Sequence, residues 1–298
     1  MERKKASDYP QELLDLFHEY QHGGIDRRTF LERTGKFAVG GLTAATILSE
    51  MKPNYALAQQ VPKDDARIKA EVVTVQSPLG NGSIKGLFAR PARMSGTLPA
   101  IIVIHENRGL NAHIEDVARR LALAGFATVA PDLLTPLGGT PADEDKARDL
   151  IGKLDLSAAV ASAIRLGDGL KRLKHSNRKL GIVGFCWGGA FVDRYAVAAG
   201  KRLDAGVGYY GPAPAPADAV RVEAPLLLHY AGLDTRVAET AGPWVAALKA
   251  AHKDVTDFTY PGVNHAFNND TSVERYDKAA AELAWGRTIA FFRKYLHA

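Results

Sequence analysis

The chain is poor in the residues and segments that mark disulfide-bonded, metal-thiolate and membrane-spanning proteins. Its 298 residues include one cysteine, Cys186, which excludes an intramolecular disulfide and a thiolate cage around a metal. The apolar stretch at residues 37–49 has 13 residues, whereas a membrane-spanning helix needs about 20. We therefore predict no stable membrane span.

The net charge is also small. Residues 1–58 contain eight of the 38 basic and eight of the 33 acidic residues, so the formal excess of +5 lies in residues 59–298. No basic run is interleaved with aromatic residues, which argues against nucleic-acid binding, while the mild excess favours attraction of anionic small molecules. With 46% hydrophobic residues, the chain can bury the core of one α/β domain with an N-terminal tail.

The single cysteine lies in a pattern typical of a reactive nucleophile. Cys186 follows the apolar run at residues 180–183 and is the sulfur residue of the sequence G-F-C-W-G-G. A G-x-C-x-G turn between a strand and a helix is a nucleophile elbow in which sulfur replaces the usual oxygen. The glycines allow strand and helix to approach closely, and the positive end of the helix favours the thiolate. The alternative is a buried cysteine without a chemical role.

Two further residues follow strand-like runs in the order expected of a hydrolase. Asp234 comes after the apolar run at residues 224–230, and His265 comes after the run at residues 255–260. Nucleophile, acid and histidine is the chain order of the α/β-hydrolase triad, in which the acid orients the histidine and the histidine transfers protons. Taken singly, Asp234 is also compatible with a turn or a helix cap, and His265 with a structural role.

A fourth candidate is the loop that follows the apolar run at residues 99–104. In this fold that loop supplies one backbone N–H to the oxyanion hole, and the residue after the nucleophile supplies the other. Asn107 and Trp187 are therefore the predicted donors. Glu106 would repel a thiolate, so we predict that the resting thiol is neutral and that Glu106 takes its proton when substrate arrives. The alternative is a solvated ion pair between Glu106 and Arg108.

Together these segments resemble the dienelactone hydrolase family over roughly residues 67–297. The resemblance is carried by GFCWGGAF, HENRGL, GLDTRV, PGVNHAF and AAAELAWGRTIAFFRKYL. It implies a hydrolase of lactones or activated esters, with Cys186 as nucleophile and His265 as base and acid. It further implies that Asp234 orients the histidine and that Glu106 activates the thiol. Neither a metal nor a cofactor is implied, and the partner is a small-molecule substrate.

The resemblance also bears on how a substrate is held. The best-known members hold a substrate carboxylate with arginines, one of them four residues after the histidine, where this chain has Asn269. Arg148 and Arg108 are the other candidates for substrate contact. Two alternatives for the function stay open: acyl transfer to an acceptor other than water, and a catalytically inert hydrolase-fold protein that only binds.

Residues 1–58 are predicted to form an N-terminal extension before the hydrolase domain at residues 59–298. Arg27 and Arg28 lie in a segment, DRRTFL, that resembles a twin-arginine export motif, and the sequence ALA before Gln59 matches a cleavage pattern. This predicts a periplasmic or secreted protein with the twin-arginine export machinery as a partner.

The alternative is a cytoplasmic protein that retains the extension, docked on the domain or on a second subunit. Residues 9–20 support this alternative because they have helical periodicity. Their apolar face comprises Leu13, Leu16, Phe17 and Tyr20.

Strand-like and helical segments alternate through the rest of the chain. Residues 71–75 and 84–89 are predicted to pair as antiparallel strands at a sheet edge, joined through residues 78–82. Residues 126–130 are a further predicted strand, and the predicted helices lie at residues 114–124, 157–173 and 276–296. This alternation predicts an α/β-hydrolase fold with a mostly parallel central sheet and helices on both faces.

Overall fold

One eight-stranded sheet organises the computed structural model, which describes residues 8–38, 43–55, 60–77, 82–94, 96–272 and 274–297. The strands are β1 (Ile68–Ser77), β2 (Gly82–Pro91), β3 (Leu98–Ile104), β4 (Ala127–Asp132), β5 (Ser176–Phe185), β6 (Ala205–Tyr209), β7 (Leu226–Ala231) and β8 (Val255–Tyr260). Their order across the sheet is β1-β2-β4-β3-β5-β6-β7-β8. β2 pairs antiparallel with both β1 and β4, and all other pairs are parallel.

Helices precede the sheet and connect its strands. They are α1 (Gln11–Gln21), α2 (Arg27–Thr34), α3 (Ala44–Met51), α4 (Ala112–Leu123), α5 (Glu144–Lys153), α6 (Leu156–Leu170), α7 (Trp187–Ala199), α8 (Thr235–Ala250) and α9 (Lys278–Leu296). In the described part of the chain no helix is long and apolar enough to cross a membrane.

Both faces of the sheet are covered because the side chains of each central strand alternate. On β3, Ile101 and Val103 belong to one hydrophobic cluster with α4 and α9, whereas Ile102 and Ile104 belong to another with α6, α7 and α8. Alternation with a period of two is what a strand covered on both faces requires. The predicted mostly parallel sheet with helices on both faces is confirmed, as is the antiparallel pair at its edge.

Short polar residues start several of the helices. The side-chain oxygens of Asn111, Asp155, Asp234 and Asp277 accept hydrogen bonds from first-turn N–H groups of α4, α6, α8 and α9. Each such cap stabilises a helix by about 1 kcal/mol. Asp234 therefore starts α8 with one carboxylate oxygen and keeps the other for a second partner.

The helices predicted at residues 114–124, 157–173 and 276–296 correspond to α4, α6 and α9, but α2, α3, α5 and α8 were not predicted. α2 and α3 have eight residues each, which is too short for a clear apolar period. α8 contains Pro243, a residue that in sequence marks a helix break.

The N-terminal extension has a small core of its own. The apolar face of α1, including Leu13 and Phe17, packs with Phe30 of α2 and with Leu48 and Met51 of α3. The predicted amphipathic helix is therefore confirmed. Residues 56–59, which include the predicted cleavage pattern, and residues 78–81 of the predicted turn lie outside the described residues.

Candidate active site

Cys186 lies at a strained turn between β5 and α7. Its backbone has φ 56° and ψ −115°, a conformation that residues with a Cβ rarely adopt. Glycines make the turn possible, because a Cβ on Gly184 would lie 2.1 Å from the carbonyl oxygen of Gly188. The thiol is buried, and the first N–H groups of α7, which have no acceptor within the helix, begin beside it.

Asp234 and His265 follow β7 and β8 at the same edge of the sheet as Cys186. Nδ1 of His265 lies 2.5 Å from Oδ2 of Asp234, and both side chains are buried. Burial raises the pKa of Asp234, but the hydrogen bond and the charge of His265 outweigh burial and lower that pKa to about 2. The carboxylate is therefore ionised at neutral pH and holds the proton of His265 on Nδ1.

The thiol lies close enough to the His265 ring to alter its charge. Burial lowers the pKa of His265, but the charge of a Cys186 thiolate, the hydrogen bond to Asp234 and the contact between that sulfur and the ring outweigh burial and raise that pKa to about 9. The second ring nitrogen, Nε2, is buried and makes no hydrogen bond of ordinary geometry to any described residue. Such contacts commonly tighten only when substrate binds.

Glu106 lies in the loop after β3 and is 8% exposed. Its Oε2 accepts a hydrogen bond from Nδ2 of Asn269 at 2.8 Å, whereas its Oε1 is buried without a hydrogen-bond partner among the described residues. Asn269 is held in turn by the hydroxyl of Thr271 at 2.5 Å. Asn269 is thus a partner of Glu106, which leaves one carboxylate oxygen free to accept a proton. Arg108 forms its ion pair with Asp145 at 3.6 Å.

The loop that carries Asn107 is fixed against the elbow. The ring of His105 stacks on Trp187, with 5.5 Å between ring centroids. His105 Nε2 accepts from the N–H of Leu133 at 3.3 Å, so its Nδ1 carries the proton and donates to the carbonyl oxygen of Glu106 at 2.7 Å. Asn107 and Trp187 line the same cavity as Cys186, as donors to an oxyanion must.

Arg108 and Arg148, the predicted substrate contacts, are engaged by the C-terminal end of α1. Nη1 of Arg148 donates to the carbonyl oxygen of Tyr20 at 2.8 Å, and Nη2 of Arg108 reaches that of Gln21 at 3.5 Å. The side-chain amide of Asn107 donates to the Gln21 carbonyl at 2.9 Å. The last carbonyls of a helix carry its negative end, so they bind these guanidinium groups as an anion would.

The same helix brings two histidines onto His265. The ring centroids of His18 and His22 lie 4.7 and 4.9 Å from that of His265, and Gln11 Nε2 donates to the side chain of Asn264 at 3.0 Å. Burial and the charge of His265 lower the pKa of His18 to about 2 and that of His22 well below its usual value. Both rings are therefore neutral. We term α1 together with His22 the roof of the site.

A cavity of about 320 Å³ remains beside Cys186 under the roof. Its wall combines apolar side chains with three guanidinium groups, those of Arg148, Arg194 and Arg236. A basic lining favours a substrate with negative or strongly polar groups.

Sequence reasoning missed several groups near the thiol. Tyr210 has φ 38° and its ring centroid lies 5.0 Å from that of His265. Burial and then the charges of Glu106 and Cys186 hold the pKa of Tyr210 well above its usual value, so this phenol stays protonated. No sequence pattern marks Tyr210, whereas His18 and His22 carry a weak signal, since residues four apart lie on one face of a helix.

A mostly parallel sheet with candidate residues on the loops after β3, β5, β7 and β8 is the arrangement of an α/β-hydrolase. The sequence profile of the dienelactone hydrolase family matches residues 84–296. The chain belongs to this family and is a hydrolase that acts on esters or lactones. A second profile, described as YqhI-like, matches residues 1–38.

Individual relatives agree with this family. A protein of Escherichia coli (strain K12) provisionally named hydrolase fragment YghX is 51% identical over 114 residues, which are 38% of this chain and 97% of its own length. A protein of Methylorubrum extorquens provisionally named carboxymethylenebutenolidase is 34% identical over 74% of this chain and 80% of its own length. The crystal structure of a protein from Klebsiella pneumoniae provisionally named dienelactone hydrolase superposes with a TM-score of 0.69 at 29% identity, covering 76% of this chain and 99% of that one.

Proposed function

We propose that this protein is a cysteine-dependent hydrolase of lactones or activated esters. In this proposal Cys186 is the nucleophile, His265 transfers protons, Asp234 orients His265 and Glu106 activates the thiol. The observation that carries the proposal is the buried 2.5 Å contact between His265 and Asp234 next to a cysteine held at φ 56°. Nucleophilic catalysis requires a sulfur held in place beside an oriented imidazole, and this strained turn provides that arrangement.

The first half of the reaction transfers the acyl group to sulfur. Oε1 of Glu106 takes the proton of the Cys186 thiol, and the sulfur attacks the carbonyl carbon of the substrate. The resulting oxyanion receives hydrogen bonds from the backbone N–H groups of Asn107 and Trp187. When the tetrahedral intermediate collapses, the leaving oxygen takes a proton from the His265 imidazolium and a thioester remains.

The second half releases the acid. Neutral His265 now removes a proton from water, and the hydroxide attacks the thioester carbonyl. Collapse expels the sulfur as thiolate, which recovers its proton from Glu106. Both carboxylate and imidazolium are then in their starting states, so each turnover consumes one substrate and one water.

The proposal is tested by hydrolysis and by alkylation of the full-length protein. An aryl acetate and a six-membered lactone should both be hydrolysed, and iodoacetamide should abolish the activity with one label per chain. Because the chain has a single cysteine, the label reports only on Cys186. Full activity after complete alkylation, or no hydrolysis of either substrate class, would contradict the proposal. Products diverted from acid to ester by added methanol would identify acyl transfer.

Replacing Glu106 by glutamine should lower kcat by roughly 10²-fold or more, in the range of general-base loss. Glutamine keeps the size of the side chain and can still accept the hydrogen bond from Asn269, but its amide cannot take the thiol proton. Steady-state kinetics between pH 6 and 9 measure the effect. Glu282→Gln is a matched control, because that carboxylate is exposed on α9, where it pairs with exposed Lys278. An unchanged kcat over this pH range would make Glu106 structural.

We further propose export by a twin-arginine system, which requires both Arg27 and Arg28. Both side chains are exposed on α2, where Arg28 pairs with exposed Glu32 at 2.9 Å, so their replacement by lysine should leave the fold intact. We expect the double lysine variant to remain in the cytosol of a host with this system, whereas Arg33→Lys on the same helix should be exported. Cell fractionation and N-terminal sequencing measure this, with Gln59 expected as the first exported residue. Native protein in the cytosol with residue 1 or 2 at its terminus would contradict the proposal.

A further inference from the structure

The roof and the hydrolase domain together form a cluster of three imidazoles, and the reaction requires only one of them, that of His265. We propose that the full-length chain binds a divalent transition-metal ion of the Zn²⁺ class through His18, His22 and His265. This site bridges α1 and the loop after β8, and it closes the active site while the metal is bound.

The spacing of the two roof histidines suits a metal. His18 and His22 lie four residues apart on one helical face, and their ring centroids are 4.5 Å apart. One ligating atom from each of the three histidines lies within 4.8 Å of the others. Nitrogen ligands around tetrahedral Zn²⁺ lie about 3.4 Å apart, given Zn–N distances of about 2.0–2.1 Å. Modest rotations of the two roof side chains therefore complete the geometry.

His265 is already oriented as a metal ligand. Its Nδ1 is bonded to Asp234, and its Nε2 is buried without a hydrogen bond of ordinary geometry to any described residue. Histidines that bind metals nearly always donate their other N–H to a carboxylate or a carbonyl, which fixes the ring and increases the basicity of the ligating nitrogen. Three imidazoles without a thiolate suit zinc, copper or nickel rather than calcium or magnesium.

The guanidinium group of Arg236 competes with a metal ion for His18. Nε of Arg236 donates to Nε2 of His18 at 3.3 Å, and Arg236 is exposed, so the guanidinium can swing into solvent when the metal takes its place. The variant Arg236→Gln should accordingly bind Zn²⁺ more tightly than the parent chain.

Binding should be measured first in a chain that has no thiol. In full-length Cys186→Ala, zinc chloride titrated in a calorimeter should bind one ion per chain, and cobalt chloride should give visible absorption bands typical of a four-coordinate site. Loss of groups that only orient a ligand costs 10- to 100-fold in affinity, so His18→Ala or His22→Ala in this background should weaken Zn²⁺ binding by about 100-fold or more. His175→Ala is the matched control, because that histidine is exposed and lies just before β5, whereas Cys186 follows the other end of that strand. Circular dichroism verifies that each variant stays folded.

Inhibition of hydrolysis by Zn²⁺ distinguishes this three-histidine site from a site formed by Cys186 and His265 alone. Zn²⁺ on Nε2 of His265 blocks proton transfer, so it should inhibit hydrolysis by the native chain, and His18→Ala with His22→Ala should raise the inhibitory concentration by a similar factor. Equal inhibition of the native and doubly substituted chains would place the ion on Cys186 and His265 alone and overturn the proposal. Unchanged binding in the Cys186→Ala background after removal of either roof histidine would also overturn it. The binding measurement stands apart from catalysis, so failure of the proposed hydrolysis would not affect it.

Discussion

Cys186→Ala is expected to lower kcat/KM for ester hydrolysis by on the order of 10⁴-fold, the loss that follows removal of a triad nucleophile. Alanine retains the Cβ, so the strained backbone at φ 56° is no worse than in the native chain. Only the sulfur, a buried group of one heavy atom, is removed. The loss should therefore lie in chemistry and not in folding.

Two measurements accompany this variant. Its melting temperature should stay within a few degrees of the native value, since the predicted change in free energy of unfolding is small for a loss of this size. Cys186→Ser should also be a poor enzyme, because a hydroxyl ionises far less readily than a thiol at the same position. An alanine variant that keeps more than about a tenth of the native rate would mean that Cys186 is not the nucleophile.

Asp234→Asn is expected to lower kcat by a comparable factor, on the order of 10⁴-fold, because an amide facing Nδ1 favours the wrong tautomer of the histidine. Asparagine can still accept the hydrogen bond by which Oδ1 of Asp234 caps α8 at the N–H of Val237, so the helix should keep its start. The lost group is then only the Oδ2 that lies 2.5 Å from His265 Nδ1.

The pH profile distinguishes this role from a structural one. The Asp234 hydrogen bond is among the causes that hold the pKa of His265 at about 9. Its removal lowers that pKa, so the alkaline limb of the kcat profile should move to lower pH. Asp277→Asn, at the cap of α9, should change neither rate nor profile. A native rate for Asp234→Asn would remove Asp234 from the mechanism.

Most of the sheet could be predicted because its strands are short apolar runs that end in loops. The runs before Cys186, Asp234 and His265 predicted three of the strands and the edge at which the residues meet. Parallel strands put their carboxyl ends together, so local patterns were enough to bring these residues to one place.

The roof could not be predicted in the same way. Periodicity showed that α1 has an apolar face, but it could not show that the other face would meet His265 more than 240 residues away in sequence. Arg148 likewise looked available for a substrate, because its bond to the backbone carbonyl of Tyr20 leaves no trace in the sequence. Backbone groups carry no residue-specific signal, and contacts of this kind become visible only once the chain is folded.

If Arg108 and Arg148 hold a substrate carboxylate, their bonds to the end of α1 would make the extension a tethered competitor of anionic substrates. A segment on the same chain is present at an effective concentration of the order of millimolar, however dilute the protein is. Such a carboxylate would have to displace two helix carbonyls before it could pair with these guanidinium groups, and dilution would not relieve this competition. Cleavage after residue 58, as the export proposal requires, would remove the competitor permanently. Export and exposure of the two guanidinium groups would then be a single event, as in a zymogen whose activation peptide is also its export signal.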